Sequence, residues 1–269
     1  MSEQQTVFAV GAHPDDIEFN MAGTLILLAR AGFAPHTMNL SNSNLDSNTL
    51  TEDKTSQIRL AEARASAAVL GAIHHPPIAN DLMIFYDDRL LRRMAAVVRE
   101  VRPTIVLLPS LNDYMEDHTN TARLTVTACF CRAMARYTSD PPRQATEQDV
   151  YLYHAQPHLN RDGMRTLVVP ELYVDITDVI DTKLKMLGCH ESQRQWLSDT
   201  QGLDDYLETM RTTSAELGRM SGRPGWKYAE GFRRHSYVGF SAKDGDPLSD
   251  ALATRVARVG AGRLHSAGQ

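Results

Sequence analysis

Short apolar runs alternate with longer stretches of helical periodicity along most of this chain. Residues 7–12 form an apolar run closed by His13-Pro14-Asp15-Asp16, the pattern of a buried strand ending in a turn, and residues 21–32 then carry a helical spacing. Residues 34–40 read as a second strand, and the polar stretch 41–55 as a loop with few apolar anchors. Alanines, leucines and paired charges predict a helix over 57–70 that stops at Gly71. Another helix over 90–101 stops before Pro103; a central strand over 104–108 opens into the polar loop 109–116, and a helix follows over 119–137.

The second half is less regular. Residues 140–149 suit a surface connector, 150–152 and 167–176 supply strand material, and helices are expected over 180–198 and 203–220, with a break at 221–225. From Ala242 onward Gly, Ser and Asp accumulate, which predicts one domain over 1–241 and a loosely ordered tail over 242–269. The alternation of strands with long helices predicts a Rossmann-like three-layer α/β fold with a mostly parallel central sheet. Sites in such sheets gather outside the carboxyl ends of strands, where two of the predicted strands open into polar loops.

Composition narrows the function classes. A chain of 269 residues, 42% apolar and 23% charged, can bury a core without disulfide support. Lys and Arg total 28 against 33 Asp and Glu, a net charge of -5, which disfavours nonspecific partnership with nucleic acid or an anionic membrane. Residues 1–5 are short and polar, unlike a signal sequence, and no apolar run approaches a membrane span, so a cytoplasmic location is expected. Cys129, Cys131 and Cys189 are spaced neither as a disulfide scaffold nor as a zinc knuckle and suit reduced thiols. Homo-oligomerisation is left open by all of this.

The chemistry concentrates in the two loops. His13 and Asp16 can both face a metal ion, with Asp15 pointing elsewhere and free for proton transfer; an isolated turn of this kind also occurs as a solvated helix cap. Beyond residues 105–108 the second loop offers Asp113, Asp117 and His118, and His118 is the natural third ligand. Imidazole nitrogens with a carboxylate suit zinc, and three protein ligands with open positions are a catalytic arrangement. The same donors admit iron, cobalt or nickel. His36, His74, His75, His154 and His158 have structural readings, and Trp196 and Trp226 read as packing residues.

On these residues the chain resembles the PIG-L/LmbE-like family of zinc-dependent N-acetylglucosaminyl deacetylases. The matching pieces are Ala12 to Asp16, Gly23-Thr24, Arg59 to Ala63 with Leu70-Gly71, Asp113 to His118, Lys183 with His190 to Gln193, and Tyr228 to Phe232. The resemblance implies a Rossmann-like domain that removes acetate from a small N-acetylated sugar or conjugate. It implies His13, Asp16 and His118 as zinc ligands, Asp15 as general base, Asp117 as the acidic partner of His118, and Arg59 beside the substrate. Arg59 and Glu62, three apart on one helix face, could instead pair with each other.

Three positions depart from the family pattern. Met115 stands where a histidine usually precedes the third ligand by three residues, and a thioether can neither shuttle a proton nor donate a hydrogen bond. His190 and His235 are candidates to fill that role. Ile17 replaces a glutamate, and Asn39 to Asn44 replaces a Gly-rich stretch. The alternatives are an N-acyl amino acid or amino-nucleoside amidohydrolase, or a metal-dependent binding protein with weakened catalysis.

Overall fold

The computed structural model describes residues 4–201 and 205–258. Its centre is a parallel sheet of β1 (Thr6–Gly11), β2 (Ala34–Asn39), β3 (Ile73–His75), β4 (Ile105–Leu108) and β5 (Tyr151–Ala155), in which β1 lies between β2 and β4. Three further strands, β6 (Leu172–Asp175), β7 (Ala229–Arg234) and β8 (Val256–Arg258), extend it antiparallel in the order β5-β7-β6-β8. The fold is α/β with a mostly parallel eight-stranded sheet.

The strand sequences show why both faces are covered. Val7 and Ala9 of β1, with Ile105 and Leu107 of β4, enter one apolar core; Phe8 and Val10, with Val106 and Leu108, enter the other. A strand buried on both faces reads as a continuous apolar run, as residues 105–108 do. The first face carries α1 (Asp16–Asn20) and α2 (Ala22–Arg30). Next in the chain come α3 (Glu52–Val69), α4 (Asp88–Val101) and α5 (Glu116–Phe130), the last two packed on the second face. Then follow α6 (Ile180–Leu187), α7 (Glu191–Gln201), α8 (Tyr206–Met220) and α9 (Pro247–Leu252); α6, α8 and α9 return to the first face.

Several expected boundaries move, each for a physical reason. The helix expected over 21–32 is α2, preceded by the short α1 within the expected turn region, and α2 starts where the Glu230 carboxylate accepts the backbone N–H groups of Gly23 (2.8 Å) and Thr24 (2.7 Å). The single helix expected over 180–198 is broken, because Glu62 accepts the Ser192 N–H at 2.8 Å and caps the start of α7. Thr51, whose hydroxyl accepts from the Lys54 N–H, starts α3 ahead of the expected residue 57. The helix expected over 119–137 starts earlier and ends earlier, at Phe130, where the buried Arg99 guanidinium takes the Cys131, Arg132 and Met134 carbonyls.

The tail also differs from expectation. Residues 246–258 are ordered as α9, capped by Asp246, and the edge strand β8; only residues 259–269 of the expected tail lie outside the described residues. His74-His75, expected at a loop edge, belongs to β3, with His36 Nδ1 2.9 Å from His75 Nε2. Trp226 packs as expected, against Leu217 and Ala229.

Candidate metal centre

The turn after β1 is shaped by close backbone contacts. Asn39 Nδ2 donates to the His13 carbonyl at 2.6 Å, and a Cβ at Gly11 would lie 2.8 Å from that nitrogen. A side chain there would push Asn39 off that carbonyl. Asp16 Oδ2 accepts the Ala12 and His13 backbone N–H groups, each at 2.8 Å, which leaves its other oxygen free for the site. Asp15 sits at φ 114°, a left-handed conformation that costs a non-glycine residue energy and turns its side chain away from that of Asp16.

The loop after β4 meets this turn. His118 Nε2 lies 3.4 Å from Asp16 Oδ1, and the His13 and His118 rings are 5.4 Å apart between centroids. One donor atom from each of His13, Asp16 and His118 falls within 4.8 Å of the others. The sequence-predicted trio is thus brought together, at the carboxyl ends of two adjacent parallel strands, where chains fan out in opposite directions from the sheet.

Asp117 is placed differently from expectation. The Nδ1 nitrogen of His118 is held by Asp113 Oδ1 at 2.9 Å, whereas Asp117 Oδ2 accepts the Leu82 N–H at 2.9 Å and faces His13 Nε2 at 3.3 Å. Asp81, in the loop after β3, lies 3.0 Å from the same His13 nitrogen. At the first turn of α5, neighbouring residues point about 100° apart, so Asp117 and His118 cannot share one partner easily. Each imidazole has a carboxylate behind it, the arrangement that fixes tautomer and orientation in metal-ligating histidines.

Arg59, expected beside the substrate, is held by protein groups. It is fully buried; its guanidinium donates to the Pro14 carbonyl and lies 3.9 Å from Asp15, 3.5 Å from Asp46 and 3.2 Å from Glu62. It supports the turn from beneath. The local pairing with Glu62 is present, and Glu62 in turn holds Ser192. His190 is buried 3.4 Å from Glu18, and His235 bonds His154 at 3.0 Å.

The donor set fits a divalent cation. The carboxylates of Asp15, Asp16, Asp46, Asp81, Asp113 and Asp117 crowd around His13, His118 and one arginine, an excess of acidic groups in largely buried space. Burial opposes a proton on His13, but hydrogen bonds to Asp117 and Asp81 and the charge of Asp16 raise its imidazole to about 10. Burial likewise opposes charge on His118, and Asp16 with Asp113 hold it well above its usual value. The site therefore calls for positive charge, which a metal ion supplies when it displaces those protons.

Asp15 has its own clamp. The Tyr206 hydroxyl at the start of α8 donates to Asp15 Oδ2 at 2.5 Å, and burial lifts the Asp15 carboxyl to about 6 against the pull of Arg59. Asp46 also lines a cleft of about 200 Å³, walled by Ser47, Thr49, Leu50, Ile58 and Trp196. Asp46, Asp81 and Tyr206 carry no local sequence signal of a site; folding alone brings them there.

The chain is similar to several known proteins. Residues 8–129 match the PIG-L family, described as GlcNAc-PI de-N-acetylase. The diacetylchitobiose deacetylase of Thermococcus kodakarensis is 26% identical over 240 residues, covering 86% of this chain and 84% of that protein. The 4-oxalmesaconate hydratase of Pseudomonas putida is 29% identical over 198 residues, covering 71% and 74%. The crystal structure of the 4-carboxy-2-hydroxymuconate hydratase of Pseudomonas putida superposes with a TM-score of 0.72 at 25% identity, over 90% of this chain and 99% of that one. No helix among the described residues is long and apolar enough to cross a membrane.

Proposed function

We propose that this chain, which matches the PIG-L family over residues 8–129, hydrolyses the N-acetyl group of a small sugar or sugar conjugate to acetate and a free amine. The observation that carries this is the convergence of His13, Asp16 and His118 beside an independently clamped Asp15. His13, Asp16 and His118 would hold a divalent cation, zinc in our proposal. Such a cation polarises an acyl carbonyl and makes water more acidic.

The protein groups would divide the remaining work. Asp15 takes the proton of the attacking water, and Tyr206 aims its carboxylate by holding Oδ2. Asp113 keeps His118 Nδ1 protonated, so that Nε2 offers its lone pair to the site. Asp81 and Asp117 do the same for His13 from the Nε2 side. Arg59 holds the Pro14 carbonyl and with it the turn that spaces Asp15 from Asp16. The cleft beyond Asp46, with Trp196 and Leu50 in its wall and hydroxyls on its rim, suits a polar ring.

The test is amine release by zinc-loaded protein across N-acetylated sugars and N-acyl amino acids, beside Asp15→Asn. Release that vanishes in Asp15→Asn with metal content unchanged supports the proposal. Release from N-acyl amino acids alone would move the substrate class, and full activity of Asp15→Asn would defeat the mechanism.

The similarity to the Pseudomonas hydratase favours a second reading, addition of water across the double bond of an unsaturated carboxylic acid. Asp15 would again deprotonate the water, and the proton would go to carbon instead of nitrogen. Loss of conjugated-alkene absorbance with no amine release from any amide would select it.

A further inference from the structure

Breaking an amide places an unusual demand on a site, because nitrogen must gain a proton before it leaves as an amine. Asp15 is bonded to Tyr206 and sits by Arg59, and Met115 has nothing to donate. Most of the described histidines are already occupied by protein contacts. His13, His118 and His190 face carboxylates; His36 and His75 bond each other; His74 bonds Thr37; His154 bonds Pro109 and His235. His158 alone among them has neither ring nitrogen in a hydrogen bond or ion pair with a described residue.

Its position is specific. His158 lies in the loop after β5, the fifth parallel strand to send a loop over this end of the sheet, and it is half-buried. The Phe19 ring meets it edge-on, with centroids 5.1 Å apart, and the same Phe19 meets Tyr206 at 5.0 Å, whose hydroxyl holds Asp15. Tyr114 stands between it and the second loop, 6.3 Å from His158 and 5.5 Å from His118 between centroids. Burial holds the imidazole below its usual value, the charges of Asp16 and Asp113 oppose that shift, and His118 adds to it.

The loop is built to hold that side chain in place. Leu159 (φ 56°) and Asn160 (φ 59°), directly after it, both adopt left-handed backbone, an arrangement two successive non-glycine residues avoid unless tertiary contacts enforce it. Those contacts exist: buried Asn160 donates to Glu216 at 2.8 Å, its carbonyl accepts the Val168 N–H at 2.9 Å, and Arg161 pairs with Glu216 at 3.1 Å. Gly163 packs over the second loop; a Cβ there would lie 3.4 Å from the Tyr114 Cα.

We propose that His158 is the proton donor to the departing amine. This rests on the amide-hydrolysis reading above. In the step assigned to it, a water oxygen bonds to the acyl carbon and gives one proton to Asp15. The C–N bond then breaks, its electron pair stays on nitrogen, and nitrogen takes a proton from the His158 imidazolium. Proton return from Asp15 to His158 through solvent closes the cycle, and the balance is amide plus water to carboxylic acid plus amine.

The experiment compares wild-type protein with His158→Gln and His158→Asn on two probes, an N-acetylated amino sugar and 4-nitrophenyl acetate. The amine of the first cannot leave without a proton; the nitrophenolate of the second can. A donor role predicts a loss of about 10²–10⁴-fold in kcat on the sugar amide and under about tenfold on the ester, with zinc content and melting temperature near wild type. A variant that hydrolyses the sugar amide at the wild-type rate, or loses both probes equally, overturns the assignment and leaves the amidase reading standing. Wild-type protein that releases no amine overturns the amidase reading and His158 as its donor together.

Discussion

Asp113 Oδ1 lies 2.9 Å from His118 Nδ1, and this contact, made by a residue five positions earlier in the same loop, sets which nitrogen of His118 faces the site. The same carboxylate accepts the Met115 backbone N–H at 3.1 Å, so loop geometry and imidazole orientation are held together. Asp117, adjacent in sequence, serves His13 on the other strand.

Removing Asp113 should therefore weaken metal binding without removing a ligand. Asp113→Ala is expected to lower zinc affinity by about 10–100-fold, and His118→Ala by more. Competition against a chromophoric chelator measures both; equal losses in the two variants would place Asp113 among the ligands themselves.

Arg59 is buried beneath the turn and touches protein on every side named above. Arg59→Met should reduce stability and lower kcat through a displaced Asp15, while KM changes little. A rise in KM at unchanged kcat would instead restore it to direct substrate contact.

Lys183 and Glu230 form a fully buried pair at 2.7 Å, and Glu230 also caps α2. Lys183→Ala strands the carboxylate and is expected to cost about 3–5 kcal/mol in urea unfolding. Lys183→Met combined with Glu230→Gln should recover part of that loss, since no charge is then left unpaired. Equal destabilisation of single and double variants would show that packing, and not charge, dominates there.

Acid should destabilise the fold before it protonates ordinary carboxylates. Burial lowers His74 and His154 from the usual 6.5 to about 4. Between those values the unfolded chain binds more protons than the folded one, so stability is full above about pH 6.5, falls as pH drops toward 4, and gains no further loss from these groups below that. Urea midpoints across this range, with His154→Gln flattening the slope, provide the check. A midpoint constant from pH 7 to pH 4 would contradict it.

The parts of the site carried by short contiguous segments were legible in the sequence. His13-Pro14-Asp15-Asp16 follows an apolar run, and His118 follows another in an acidic loop; a strand buried on both faces and a turn at its carboxyl end are local properties, visible in hydrophobic pattern and turn chemistry. Asp117 and Arg59 could be noticed in the same way, but their partners could not. Which imidazole a carboxylate faces depends on how α5 is rotated against β1, and whether a guanidinium reaches solvent depends on what covers it.

The sequence by itself thus determined the alternation of strands and helices, the mostly parallel sheet and the three residues able to share a cation, because each follows from periodicity or from side chains a few residues apart. Only the tertiary structure decided that Glu230 starts α2, that Glu62 starts α7, that Tyr206 holds Asp15 and that His158 meets the Phe19 ring. These pairs are separated by up to 207 residues in the chain. Their carboxylates, hydroxyls and backbone N–H groups meet only once burial has stripped them of water, when an unsatisfied polar group becomes costly enough to fix where a helix begins and which way a side chain turns.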